Sequence, residues 1–157
     1  MSRSFAVLAS FLGLCLGTGY VGSTVTAPSV RDWYPSLLRP PGTPPDWVFA
    51  PVWTTIFILM AIAAWLVWRQ VGWFLARWAL MAFGVQLVLN LFWSVLFFGM
   101  RSPGPAFSEI VLLWFSILTT LLLFWRHNAA AGLLLTPYLA WVSFAAYLNF
   151  GIWQLNY

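Results

Sequence analysis

The chain has no lysine and almost no acid: its 157 residues carry seven arginines, three carboxylates and one histidine. Charged residues make up 6% of it, against roughly 25% in an average soluble domain. So few charges cannot cover a globule of this length in water, which excludes a soluble domain. The net charge of +4 is spread over scattered arginines, which excludes a nucleic-acid patch. A single cysteine, Cys15, rules out an internal disulfide and reads as a small buried apolar residue. No His/Cys cluster has metal-ligand spacing, so no metal site is expected. Asp32, Asp46 and Glu109 all fall at or near helix ends, so no carboxylate pair lies deep in a bundle for acid–base work. Gly13 to Gly22 sits inside an apolar run rather than after a strand, so it is not a phosphate loop. His127 reads as an interfacial residue, with axial haem ligation the alternative. No cofactor is expected.

What the chain does have is apolar length. It is 62% hydrophobic with 12 tryptophans, whose amphipathic rings favour the membrane–water interface. Charge-free runs cover Phe5–Val25, Trp47–Trp68, Trp78–Met100, Gly104–Trp125 (but for Glu109) and Asn128 to the last residue. Each approaches or exceeds the roughly 20 residues that cross a bilayer as a helix. Backbone groups in lipid must pair internally, so helices are expected throughout. The reading is an all-α membrane protein: one domain, residues 1–157, forming a bundle of five transmembrane helices. Their expected ranges are about 5–25, 44–68, 74–100, 104–125 and 128–153, with a lid loop at about 27–43. A cleaved signal peptide is the alternative for the first run, but its apolar stretch continues past any plausible cleavage point. Five spans put Arg3, Arg69, Arg77 and Arg126 on one side and Arg31, Arg39 and Arg101 on the other, a slight bias to a cytoplasmic N-terminus. Trp65 and Trp68 read as an aromatic belt without functional weight.

The first inter-helix loop is the distinctive stretch. Pro35, Pro40, Pro41, Pro44, Pro45 and Pro51 are six of the chain's 10 prolines. They exclude helix from 34 to 44, suit helix entry at Pro44–Pro45, and predict a kink at Pro51. A stiff aromatic-flanked lid over a cavity is the expectation. The remaining intramembrane groups are aromatic or neutral polar. Gln86, Asn90, Trp93, Ser94 and Phe97 lie on adjoining turns, as do Trp53 and Phe57; Tyr138, Trp141, Ala145 and Leu148 share a face, with Asn149 beside it. An amide in lipid must find a partner, so Gln86 and Asn149 read equally as interhelical ties or as cavity groups, and Asn90 as cavity lining. Flat aromatic walls with few polar groups suit a large, planar, mostly apolar ligand.

Trp33-Tyr34, Leu38-Arg39-Pro40-Pro41, Pro44-Pro45-Asp46-Trp47-Val48-Phe49, Pro51-Val52-Trp53-Thr54, Gln86-Leu87 with Asn90 and Trp93, Phe97-Phe98-Gly99, Pro137-Tyr138-Leu139-Ala140-Trp141 and Leu148-Asn149 occur in that order. Together they resemble the translocator protein family (TspO/MBR), also called tryptophan-rich sensory proteins or peripheral-type benzodiazepine receptors. The resemblance implies a homodimeric five-helix bundle with a cavity under the first loop. It implies ligands such as protoporphyrin IX and haem-type porphyrins, isoquinoline carboxamide or benzodiazepine drugs and, in animal members, cholesterol. On this resemblance Trp53, Asn90 and Trp141 fall on cavity positions, with Phe57 and Phe97 nearby; Ala145 is a small position where bulk disturbs the pocket. Trp93 and Tyr138 join the ligand-binding set, and Trp33 and Trp47 belong to the lid and its hinge.

The sterol motif is broken, with Phe150 where a tyrosine is needed and no basic residue after Arg126, so sterol binding is the weaker alternative. The short uncharged C-terminus is expected of a bacterial member, in a cell membrane or outer membrane. Dimerisation would use the third helix, where Ala76, Ala79 and Ala82 give a small face. The main expectation is binding, transport or sensing of porphyrins. An enzymatic alternative is light- and oxygen-dependent porphyrin breakdown, with Trp53 and Trp141 as redox partners. A ligand-free structural bundle is the third.

Overall fold

A computed structural model describes residues 2–157, which form α1 (Ser2–Asp32), α2 (Phe49–Ser94), α3 (Pro103–His127) and α4 (Ala129–Asn156). Short 3₁₀ turns occupy Tyr34–Ser36 and Asp46–Val48, and a π-helical turn at Val95–Gly99 ends α2. No strand occurs among the described residues.

Among the described residues four helices, not five, are long and apolar enough to cross a membrane. The difference lies at Gly72. The expected helices 44–68 and 74–100 are one element, interrupted where Gly72 takes φ 73° and ψ 175°. That backbone region is open essentially to glycine alone, so the chain turns there without a separate loop. Gln86 Nε2 lies 3.5 Å from Met60 Sδ, although 26 residues separate them. A straight helix would hold them about 39 Å apart. Thus α2 folds back on itself at Gly72, and the rings of Trp68 and Trp73 meet across the turn at 5.7 Å.

Three local expectations change for reasons of packing and hydrogen bonding. The lid was expected from residue 27, yet α1 runs to Asp32 with Pro28 inside it. Its last turns are held by tertiary contacts: Ser29 Oγ donates to the Phe98 carbonyl at 2.6 Å, and a Cβ on Gly99 would sit 3.1 Å from Val25. Tyr34–Ser36 is 3₁₀ rather than non-helical, because Pro35 stands in the turn's first positions, where its missing N–H goes unneeded. Pro51 forces no kink for the same reason, since α2 begins at Phe49 and Pro51 falls in its first turn.

Lipid supplies no hydrophobic drive between helices, so close packing holds the bundle. Small residues permit it: Ala61, Ala63, Ala64 and Ala76 are fully buried, as is Ala79 almost entirely. Ala76 and Ala79 therefore do not form the free dimer face expected of them. Gly19 admits the Phe57 ring, whose edge would come within 2.7 Å of a Cβ there, whereas Gly13 and Gly17 have no neighbour within 4 Å. Larger residues fill the centre, among them Met60, Phe83, Ile117, Phe124 and Leu135. Phe74, Trp78 and Val88 point outward, an inside-out pattern suited to acyl chains. At the α3–α4 junction Asn128 caps α4 by accepting from Ala131 N at 3.1 Å, and its amide donates to Gln70 at 2.6 Å.

Candidate ligand-binding site

Proline chemistry prepares the surface between the start of α2 and the middle of α4. Pro137 cannot donate to the Leu133 carbonyl one turn back. The Thr136 hydroxyl donates to that carbonyl instead, at 2.7 Å, so α4 continues unbroken. Beside this segment lies a cavity of about 580 Å³ between α2 (Pro51, Val52, Thr55, Ile56, Leu59) and α4 (Pro137, Ala140, Trp141, Phe144). Its volume is within the roughly 300–1,000 Å³ of small-molecule sites. The walls are apolar apart from Thr55 and Trp141. Thr55 turns its hydroxyl back to the Pro51 carbonyl at 2.9 Å. Trp141 keeps a buried indole Nε1–H with no partner. Phe49 and Phe144 flank this indole at 5.8 and 5.7 Å between ring centres.

Of the residues expected to bind ligand, Trp141 alone lines this cavity. The others meet in the interior behind it. Asn90 Nδ2 donates to the Tyr138 hydroxyl at 3.0 Å, linking α2 to α4. Trp53 packs on Phe57 at 5.9 Å and on Tyr138 at 6.2 Å. Trp93 stacks on Phe97 at 5.4 Å, and its Nε1 donates to Asn149 Oδ1 at 3.0 Å. Asn149 Nδ2 donates in turn to the Pro103 carbonyl at 2.7 Å, so this amide ties three helices. Phe57, Asn90, Trp93, Phe97, Tyr138 and Ala145 are buried, while Trp53 and Trp141 are half-buried. Gln86 and Asn149 thus serve as interhelical ties; Gln86 Oε1 keeps no partner.

The proline loop is strapped to α4. Leu38 N donates to Asn156 Oδ1 and the Asn156 amide donates back to Leu38 O, both at 2.9 Å. Tyr147 donates to the Pro41 carbonyl at 3.0 Å, and Pro40 packs so closely on Gly151 that a Cβ there would lie 2.7 Å away. Arg39 pairs with Asp46 at 3.0 Å and lies over the Tyr34 ring at 4.8 Å. Burial pushes the Tyr34 phenol above its usual pKa, against the opposing pull of Arg39. Trp33 packs edge-on against Phe97 at 5.7 Å, under the loop. Trp47 stands in the second 3₁₀ turn with its ring turned outward, 75% exposed.

Two features escaped the sequence reading. Glu109 lies near the start of its helix, in the second turn of α3, where the sequence put it; its burial, with neither carboxyl oxygen partnered, is what went unread. Trp68 was assigned to the interfacial belt, yet it lines a second cavity of about 450 Å³ with Arg3, Ser4, Arg69, Gly72 and Trp73. The signal for it was an arginine and an isolated glycine directly after a tryptophan pair. Among the described residues no group of three His, Cys, Asp or Glu side chains could hold a metal ion.

Residues 11–154 match the TspO/MBR family. The chain is 48% identical to the tryptophan-rich protein TspO of Chlorobaculum tepidum, over 99% of both chains. It is 38% identical to the translocator protein of Ovis aries, over 88% of this chain and 83% of that one. It is 36% identical to protein CrtK of Rhodobacter capsulatus, over 98% of this chain and 94% of that one. A helical chain suited to lipid, with tryptophans and amides drawn together behind a proline-strapped loop, matched along almost its whole length to such relatives, belongs to the TspO/MBR family.

Proposed function

We propose that this membrane protein senses or transports porphyrins such as protoporphyrin IX and accepts planar apolar molecules of the isoquinoline carboxamide type. Family membership supports a membrane sensory or transport role. The observation that carries the ligand class is the buried, unpartnered Nε1–H of Trp141 beside an apolar cavity of about 580 Å³. An orphaned donor in a dry site costs about 1–3 kcal/mol, and a carbonyl or carboxylate on a flat apolar ligand would remove that cost. Trp53, Phe57, Asn90, Trp93, Phe97, Tyr138 and Ala145 form the aromatic and amide layer behind it, which a ligand entering from the cavity would meet next. Trp33 and Trp47 belong to the lid. The folded-back α2 is read as crossing the bilayer twice, giving five passes. A homodimer would use the exposed stripe Trp78, Met81, Val85 and Val88 rather than Ala76 and Ala79.

Titrating the purified chain in detergent with protoporphyrin IX tests this, with tryptophan quenching as the readout. Saturable quenching is expected, with Trp141→Phe weakening affinity about five- to tenfold, the value of one hydrogen bond of about 1–1.4 kcal/mol. Absence of saturation at micromolar porphyrin would overturn the tetrapyrrole assignment. Light-dependent bleaching of the porphyrin that disappears in Trp53→Phe or Trp141→Phe would establish the degradative reading instead.

A further inference from the structure

The second cavity differs in chemistry from the first and lies at the end of the bundle where α1 begins and α2 turns at Gly72. Arg3, Ser4, Trp68, Arg69, Gly72 and Trp73 line it, an open pocket of about 450 Å³. It presents two guanidinium groups and no acid. The one ion pair among the described residues, Arg39–Asp46, sits near the other end of α2's first half. The Arg69 guanidinium lies over the Trp65 ring, 5.1 Å from its centre, a cation–π contact that holds the charge at the pocket. The indole of Trp65 donates to the Ser4 carbonyl and hydroxyl oxygens at 3.1 and 3.2 Å, so the Ser4 hydroxyl keeps its own hydrogen to give. Trp68 Nε1 is buried and has no partner. Every polar group lining the pocket can donate, and two of them carry positive charge. That set calls for a compact anion with several acceptor oxygens, which is a phosphate.

The surroundings decide what the phosphate is attached to. The pocket is open, Trp73 lines it, and Phe5 and Phe74 directly follow lining residues in the chain; these three are 51%, 66% and 74% exposed. A free phosphate has no use for such walls; the acyl chains of a lipid do. We infer that the pocket formed by Arg3, Ser4, Trp68, Arg69 and the Gly72 turn is a binding site for the headgroup phosphate of an anionic phospholipid. Its acyl chains lie along Phe5 and Phe74. Because both arginines sit against the Gly72 turn, a bound lipid also ties α1 to the fold of α2.

Native mass spectrometry of the full chain in detergent, titrated with short-chain phosphatidylglycerol or phosphatidylcholine, tests the site. One phosphatidylglycerol is expected to bind in preference to phosphatidylcholine. Arg3→Gln and Arg69→Gln should each weaken it about fivefold, as expected for one basic residue at a lipid surface. Arg3 makes no ion pair or ring contact among the described residues, so its loss leaves the bundle intact. Trp68→Phe, which keeps both charges and removes the donor, should also weaken binding. Arg126→Gln should have no effect; it belongs to the same end, where Asn128 bonds Gln70, but not to the pocket. Equal binding of the two lipids would overturn the proposal, as would an Arg126→Gln loss matching that of Arg69→Gln, which would show diffuse charge attraction. Competition by inorganic phosphate at the same concentration as the lipid would make this a small-anion site and overturn the lipid assignment.

Discussion

Two cavities in this protein share one feature and differ in everything else. Each is lined by a tryptophan whose buried indole N–H has no partner, Trp141 in one and Trp68 in the other. Around Trp141 the walls are proline, aliphatic and aromatic side chains, and no charge is present. Around Trp68 stand Arg3 and Arg69. On the readings proposed above, the same donor meets a flat, mostly apolar molecule at the first cavity and an anion with several acceptors at the second. The uncharged walls of the first suit the apolar ring face of a porphyrin, whereas the two guanidinium groups of the second suit a compact negative charge.

The largest expected effect comes from breaking the wall that belongs to one cavity alone. Gly72→Ala places a Cβ at φ 73°, ψ 175°, a strain of about 1–3 kcal/mol. It should lower the thermal midpoint in detergent and abolish the preference for phosphatidylglycerol. Porphyrin affinity should change less than about twofold, since effects at separate sites add independently. Loss of both ligands together would show that the cavities are not independent.

A smaller effect, on the other side of the comparison, is expected from Tyr138→Phe. It removes the acceptor of Asn90 Nδ2 but keeps the ring that Trp53 packs against. Buried interhelical hydrogen bonds in membranes average about 0.6 kcal/mol and reach about 1.7. Porphyrin affinity should fall about three- to twentyfold, with lipid binding unchanged in native mass spectra. An unchanged porphyrin titration would confine the ligand to the outer groove and remove Asn90 and Tyr138 from the site.

Smallest of all should be Arg39→Gln in the lid. The Arg39–Asp46 pair is partly exposed, 29% and 40%, so it contributes at most about 0.5–1 kcal/mol after solvent screening. The backbone strap between Leu38 and Asn156 remains. Stopped-flow quenching should show porphyrin association changed by less than about threefold, and a larger change would make the ion pair a gate.

Much of this architecture was legible in the chain because lipid imposes a simple rule. Backbone groups must pair within a helix, so apolar length predicts helices. The run 104–125 lies within α3, and the run expected at 128–153 lies within α4 but for its first residue, Asn128, which caps that helix. Asn90 and Asn149 were legible as interior residues because an amide in lipid must find a partner; the structure supplies Tyr138 to the first, and Trp93 and Pro103 to the second. Legibility failed where the outcome depended on neighbours. The lid was expected from about residue 27, but contacts from Val25 and Ser29 to the Val95–Gly99 turn hold α1 together past Pro28 to Asp32.

Composition and the positions of charge and proline thus determined the membrane class, the helical content and the stiff loop between Trp33 and Trp53. These follow from local rules that act on each segment alone. The tertiary structure decided that two expected helices are one folded-back element, since only backbone angles show that Gly72 turns without a loop. It also decided which tryptophans keep a free N–H, because a donor's satisfaction depends on residues far along the chain. Trp65 finds Ser4 and Trp93 finds Asn149, while Trp68 and Trp141 find no partner among the described residues.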